Sequence, residues 1–141
     1  SGGIRNGADM AKALALGADA VAIGQAAMIA LNCNRELPGI TNFVKEIGVE
    51  AGFCNKCNTG KCPVGITTQD PKLEKRLNID DSSKQVANFL NSMTMETGLL
   101  ARSLGKSNVH SLEPEDLVAL SIEASAMAKV PLAGTNKIFG I

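Results

Sequence analysis

Apolar positions keep a helical or strand-like period through the first thirty residues, lose it across the middle of the chain, and regain it strongly after residue 79. Met10, Ala13, Leu14 and Leu16 recur at helical spacing, which predicts a helix over 8–16 with Gly17 as its C-terminal stop. Asp19 to Ile23 is a short apolar run of strand length, bounded by Gly17 and Gly24. Gln25 to Leu31 reads as a second, alanine-rich helix. The order loop, helix, strand, loop, helix is the rhythm of a parallel α/β fold. Pro38, Gly39, Gly48 and Gly52 then punctuate the chain around a short helix predicted from Thr41 to Ile47, and residues 54–69 carry no useful period. Asp70-Pro71 opens another short helix, because proline suits the first helical position behind an aspartate cap. The clearest helix is predicted from Asp80 to Leu104: Val86, Phe89, Leu90, Met93, Leu100 and Leu104 share one face, Gly98 weakens the middle and Gly105 ends it. A last helix is expected over 114–128, closed by Pro131, ahead of an irregular tail.

One strand, with a second expected ahead of Ser1, cannot bury both faces of a parallel sheet. A complete eight-stranded barrel takes about 250 residues, and this chain has 141. The expected fold class is therefore α/β: the C-terminal part of a TIM (β/α)8 barrel, its last βα units, with a cysteine-rich loop and a helical tail. The opening at Ser1, already inside a motif, is what a piece of a longer chain would show.

Composition removes several alternatives. Lys plus Arg and Asp plus Glu are 14 each, so no whole-chain field attracts polyphosphates. Four Phe with no Trp or Tyr make a poor base-stacking platform, and no nucleic-acid partner is expected. The apolar stretch from Ala13 to Leu31 contains Gly17, Asp19, Gly24 and Gln25 and switches period midway, so two buried elements fit it better than a membrane span. No basic and apolar leader precedes the motif. Three of the four cysteines crowd into nine positions, which reads as metal chemistry in a reducing compartment rather than a disulfide scaffold. A cytoplasmic location is the expectation.

Two motifs carry chemistry. In Ser1-Gly2-Gly3-Ile4-Arg5-Asn6-Gly7 adjacent glycines let backbone N–H groups converge on an anion, a helix starts directly behind, and Arg5 adds a charge-assisted donor. Gly24-Gln25 repeats the arrangement one βα unit later, and two such loops form the phosphate site of the last units of many barrels. The second motif is Cys54-Asn-Lys-Cys57-Asn-Thr-Gly-Lys-Cys62-Pro63, with Cys33 standing 21 positions before Cys54. Short spacings let one loop wrap an inorganic core, and a proline after the last cysteine also occurs in bacterial ferredoxin runs. Lys56 and Lys61 offset thiolate charge. A structural zinc site of four cysteines is the rival, and the residues alone leave open whether Cys33 is a ligand. His110, the single histidine, reads as a surface residue, and Met93, Met95 and Met127 as packing.

The loop at 1–7 with Lys-Ala-Leu-Ala-Leu-Gly-Ala-Asp-Ala-Val at 12–21 resembles the closing units of FMN-binding barrels. Ala-Ala-Met-Ile-Ala-Leu-Asn-Cys at 26–33, followed by Cys-Pro-Val-Gly-Ile-Thr-Thr-Gln-Asp-Pro at 62–71, is similar to the FMN and iron–sulfur region of the glutamate synthase large subunit, in its archaeal-type form. The resemblance implies 1–32 as the last units of an FMN-binding barrel, 33–53 as an insertion, 54–69 as the cluster loop and 70–141 as a helical extension. It implies FMN held by Gly2, Gly3, Arg5, Gly24 and Gln25, and a 3Fe-4S or 4Fe-4S cluster on Cys33, Cys57 and Cys62, with Cys54 either a fourth ligand or a replacement for Cys33. The reaction implied is reductive formation of L-glutamate from 2-oxoglutarate and glutamine-derived ammonia. Implied partners are the remainder of the barrel, a glutaminase domain or subunit, and an electron-donor subunit or ferredoxin. Two departures stand out: the family's bacterial pattern has three cysteines with a much closer first pair, and no residue for 2-oxoglutarate or for the flavin ring is recognisable here. The alternatives are a non-catalytic electron-transfer or assembly module and a zinc-stabilised structural domain.

Overall fold

The computed structural model describes residues 2–37, 40, 42–50 and 52–140. The expected loop start at Ser1, the punctuation at Pro38 and Gly39, and the helix start at Thr41 lie outside them. Among the described residues six α-helices are formed: α1 Gly7–Ala15, α2 Gln25–Ala30, α3 Phe43–Ile47, α4 Pro71–Glu74, α5 Ile79–Ser103 and α6 Ile122–Ala128, with 3-10 turns at Val109–Ser111 and Pro114–Asp116. The chain divides into two compact units, one of Ser1–Ile23 with Asn91–Ile141 and the other of Gly24–Leu90.

Helix ends are set by side chains the sequence supplies. Asn6 caps α1 by accepting the Asp9 N–H at 2.9 Å, Asn42 caps α3 through Lys45 at 2.9 Å, and Asp70 caps α4 through Lys72 at 2.8 Å, each satisfying an otherwise orphaned donor. Three helices close with the same paired bonds: Gly17 to Leu14 and Ala18 to Ala13, Asn32 to Ile29 and Cys33 to Met28, Gly105 to Arg102 and Lys106 to Ala101. This is the Schellman pattern, with Asn32 rather than glycine in the left-handed position after α2.

The expected strand at 19–23 is not formed, and among the described residues only an isolated bridge joins Ala119 to Leu132. A parallel strand is a property of the sheet that covers it rather than of a five-residue apolar run. The helix expected over 114–128 is also corrected. Glu113 and Asp116 close a reciprocal cap around a single 3-10 turn. Leu117 is then extended, Ala119 bonds Pro131 and Ala133, and α6 starts only at Ile122 behind the Ser121 cap.

In the first unit Ala11, Leu14, Ala15, Ala101 and Leu112 form the core, with Met10, Val21, Leu100, Val109 and Leu117 packed around them. Gly7 allows the backbone of α1 to approach α5: a Cβ there would lie 2.6 Å from the Met93 carbonyl and from Cβ of Glu96. Thr97, buried at the same contact, shares its hydroxyl proton between the carbonyls of Gly7 and Met93 at 3.1 and 2.8 Å. Met93 is core as expected, whereas Met95 and Met127 are exposed. The tail is tied down by Ser125, a fully buried residue whose hydroxyl donates to Val130 O at 2.7 Å and accepts the Phe139 N–H at 3.2 Å. In the second unit Leu37, Cys62 and Val64 form a smaller core with Ile40, Ile47 and Ile66 around it. No helix among the described residues is long and apolar enough to cross a membrane.

Candidate functional site

The second unit holds all four cysteines as free thiols: Cys62 buried, Cys33 and Cys54 half-buried, Cys57 exposed. Cys33 follows α2 directly, its N–H bonded to Met28 O at 2.9 Å by the helix closure. The turn between Cys57 and Cys62 is knitted by hydroxyls. Thr59 accepts the Lys61 N–H at 3.2 Å, and Thr68 donates to Gly60 O at 2.6 Å while accepting the Asp70 N–H at 3.1 Å. Behind Cys62, Gly65 at φ +85° brings the chain against α4 so closely that a Cβ would sit 2.4 Å from Leu73 O. Only glycine satisfies both conditions.

Electrostatics separate the thiols. Burial pushes the Cys33 thiol up from its ordinary value, and like-charge repulsion from Cys57, Cys62 and Cys54, in that order, pushes it further, so the four share one electrostatic neighbourhood. Burial also raises Cys62, but N–H groups of Thr67, Ile66 and Val64 and the Thr67 hydroxyl outweigh it and hold the thiol below its ordinary value. A sulfur embedded in a hydrophobic core and met by backbone donors is the environment of a ligating thiolate. Among the described residues no three His, Cys, Asp or Glu side chains already stand in the arrangement of a metal site. Lys56 and Lys61 line a groove of about 680 Å³ beside the loop, with Glu46, Asp70 and Arg76.

Several contributors are not evident from the sequence pattern. Asn34, left-handed at φ +67°, donates to Gly52 O at 3.1 Å and accepts the Cys54 N–H at 2.9 Å. Arg35 donates to Arg76 O at 3.0 Å, and Arg76 donates to Pro63 O at 3.0 Å. Asn32 donates to Ser82 Oγ at 3.1 Å. The readable signal was the Asn-x-Asn pair around Cys33, since asparagine tolerates the left-handed region and bonds nearby backbone.

The glycine loop belongs to the first unit. Gly2 and Gly3 are exposed, Gly3 sits at φ +86°, and nothing lies within 4 Å of where their Cβ atoms would be. The amino end of α1 is already engaged by protein oxygens: Asp9 Oδ2 takes the Arg5 N–H at 3.0 Å and Glu96 Oε2 takes the Gly7 N–H at 2.7 Å. What remains open to an anion is the Gly2–Gly3 backbone and the guanidinium of the exposed Arg5. Gly24 and Gln25, in the other unit, begin α2 without a side-chain cap.

A thiol-rich loop closed by Cys-Pro-Val-Gly follows a glycine-rich turn in this chain. The chain belongs to the glutamate synthase family, whose conserved region its residues 1–107 match. It is 54% identical over 136 residues, 96% of its length, to a glutamate synthase large subunit-like protein of Rhizobium meliloti. It is 42% identical over 112 residues, 79% of its length, to archaeal-type glutamate synthase [NADPH] of Thermotoga neapolitana, and equally so to archaeal glutamate synthase [NADPH] of Methanocaldococcus jannaschii. The chain spans 30% of the Rhizobium protein's length and 18% of each of the other two. No solved structure matches it.

Proposed function

We propose that the chain is the cofactor-bearing, C-terminal barrel portion of a glutamate synthase. In this reading the complete protein forms L-glutamate by reducing the adduct of ammonia, released from glutamine, with 2-oxoglutarate. FMN supplies the hydride chemistry when bound, and an iron–sulfur cluster supplies the electrons. Support comes first from the chain's membership of the family, and then from one observation: Cys62 is a core sulfur whose thiolate is favoured by the backbone N–H groups of Thr67, Ile66 and Val64. That donor set fits a cluster ligand, and Cys33, Cys54 and Cys57 supply the remaining thiolates. Metal binding and local folding are coupled. Lys56 and Lys61 lower the charge of the loop.

For FMN, the Gly2–Gly3 backbone and the Arg5 guanidinium hold the phosphate, the open space around both glycines leaving the peptide accessible. The resemblance assigns Gly24 and Gln25 to the same cofactor. An NADPH-linked or ferredoxin-type donor, a source of ammonia and the remaining barrel strands complete the machine.

Anaerobic reconstitution with iron and sulfide tests the cluster. The expected product is brown, absorbs broadly in the visible and bleaches with dithionite. A colourless chain that retains zinc and takes up no iron would favour the structural-domain reading and overturn this one. For the flavin, Gly3→Val should abolish FMN binding by the assembled protein, because it crowds the peptide and strains a left-handed residue; unchanged FMN content would remove the loop from the site.

A further inference from the structure

Cys33 and Cys54 are separated by a long, loosely patterned segment, yet the residue after Cys33 reaches across it. The Asn34 amide donates to Gly52 O at 3.1 Å and accepts from the Cys54 N–H at 2.9 Å, a two-point clamp on the backbone that carries the second thiol. Both bonds fix the amide's orientation, since a carbonyl needs the NH2 and an N–H needs the oxygen. Asn34 holds this pose from φ +67°, a backbone region that asparagine visits more readily than most residues. On its other side Cys33 is fixed by the closing bond of α2 to Met28 O. The next residue extends the brace: Arg35 bonds Arg76 O, and Arg76 bonds Pro63 O, the carbonyl directly after Cys62. From Cys33, two consecutive side chains therefore lead to the flanks of Cys54 and of Cys62.

We infer that Asn34 is a positioning residue that sets Cys33 and Cys54 side by side, so that both, rather than one in place of the other, belong to the thiol group. The nearness of the backbone at Cys33 and Cys54 follows from the clamp itself; only its consequence for a cluster rests on the function proposed above. Asn34→Gly keeps a backbone suited to positive φ and removes both bonds, whereas Asn34→Asp keeps the acceptor for Cys54 and loses the donor to Gly52.

The test uses the metal-free full chain and dibromobimane, which bridges two thiols that lie close together, with the 33–54 bridged peptide quantified by mass spectrometry. Loss of two hydrogen bonds should lower its yield roughly tenfold in Asn34→Gly, with Asn34→Asp between the two, the helical circular dichroism unchanged, and all three chains alike once denatured. Equal yields from the folded parent and both variants would overturn the inference. A parallel iron and sulfide reconstitution should show the Asn34→Gly chain retaining less of both than the parent. If the parent itself takes up no iron, the cluster reading fails, and the bridging yields still decide the clamp.

Discussion

At the scale of single residues the four thiols are not equivalent. Cys62 is held below its ordinary value by N–H donors that favour the thiolate, and Cys33 above it by burial first and by its neighbours second. In the metal-free chain Cys62 should therefore ionise at lower pH, and Cys33 at higher pH, than an ordinary cysteine. Ultraviolet thiolate absorbance of variants retaining one cysteine each checks this order. The cysteine spacing was legible in the sequence because ligands in one loop need short, fixed gaps. The hierarchy among them was not, because it depends on which N–H groups the turn after Pro63 points at sulfur. Asn34 was illegible for the same reason: its partners lie 18 and 20 positions away.

At the scale of elements, glycines on the same pair of helices should behave oppositely. Gly7→Ala puts a Cβ 2.6 Å from backbone and side chain of α5. Overpacking of this kind costs about 1–3 kcal/mol, to be read as a lower urea midpoint. Gly98 lies inside α5, where a Cβ would meet only the far end of Arg102 at 3.5 Å. Gly98→Ala should stabilise by roughly 0.5–1 kcal/mol. Periodicity placed α1, α2 and α5 within a residue of their observed ends, since caps and Schellman closures are local chemistry. It failed at 114–128, where the reciprocal cap of Glu113 and Asp116 competes with continued helix and the bridge from Ala119 to Leu132 wins. The run at 19–23 failed as a strand because strand formation is decided by neighbours outside the run.

At the scale of the whole molecule, the chain covers less than a third of the length of each of these relatives, and the glutamate formation we propose belongs to the complete protein. The chain alone, loaded with FMN and cluster, should form no glutamate from glutamine and 2-oxoglutarate; measurable product would place the whole reaction within these residues. One small group also governs how the polypeptide survives. The tail from Val130 to Phe139 is fastened at both ends to the hydroxyl of Ser125. Removing that one oxygen by Ser125→Ala should loosen residues 134–139, which a protease cuts sooner than in the parent, while the stretch at 131–133 stays bonded to Ala119.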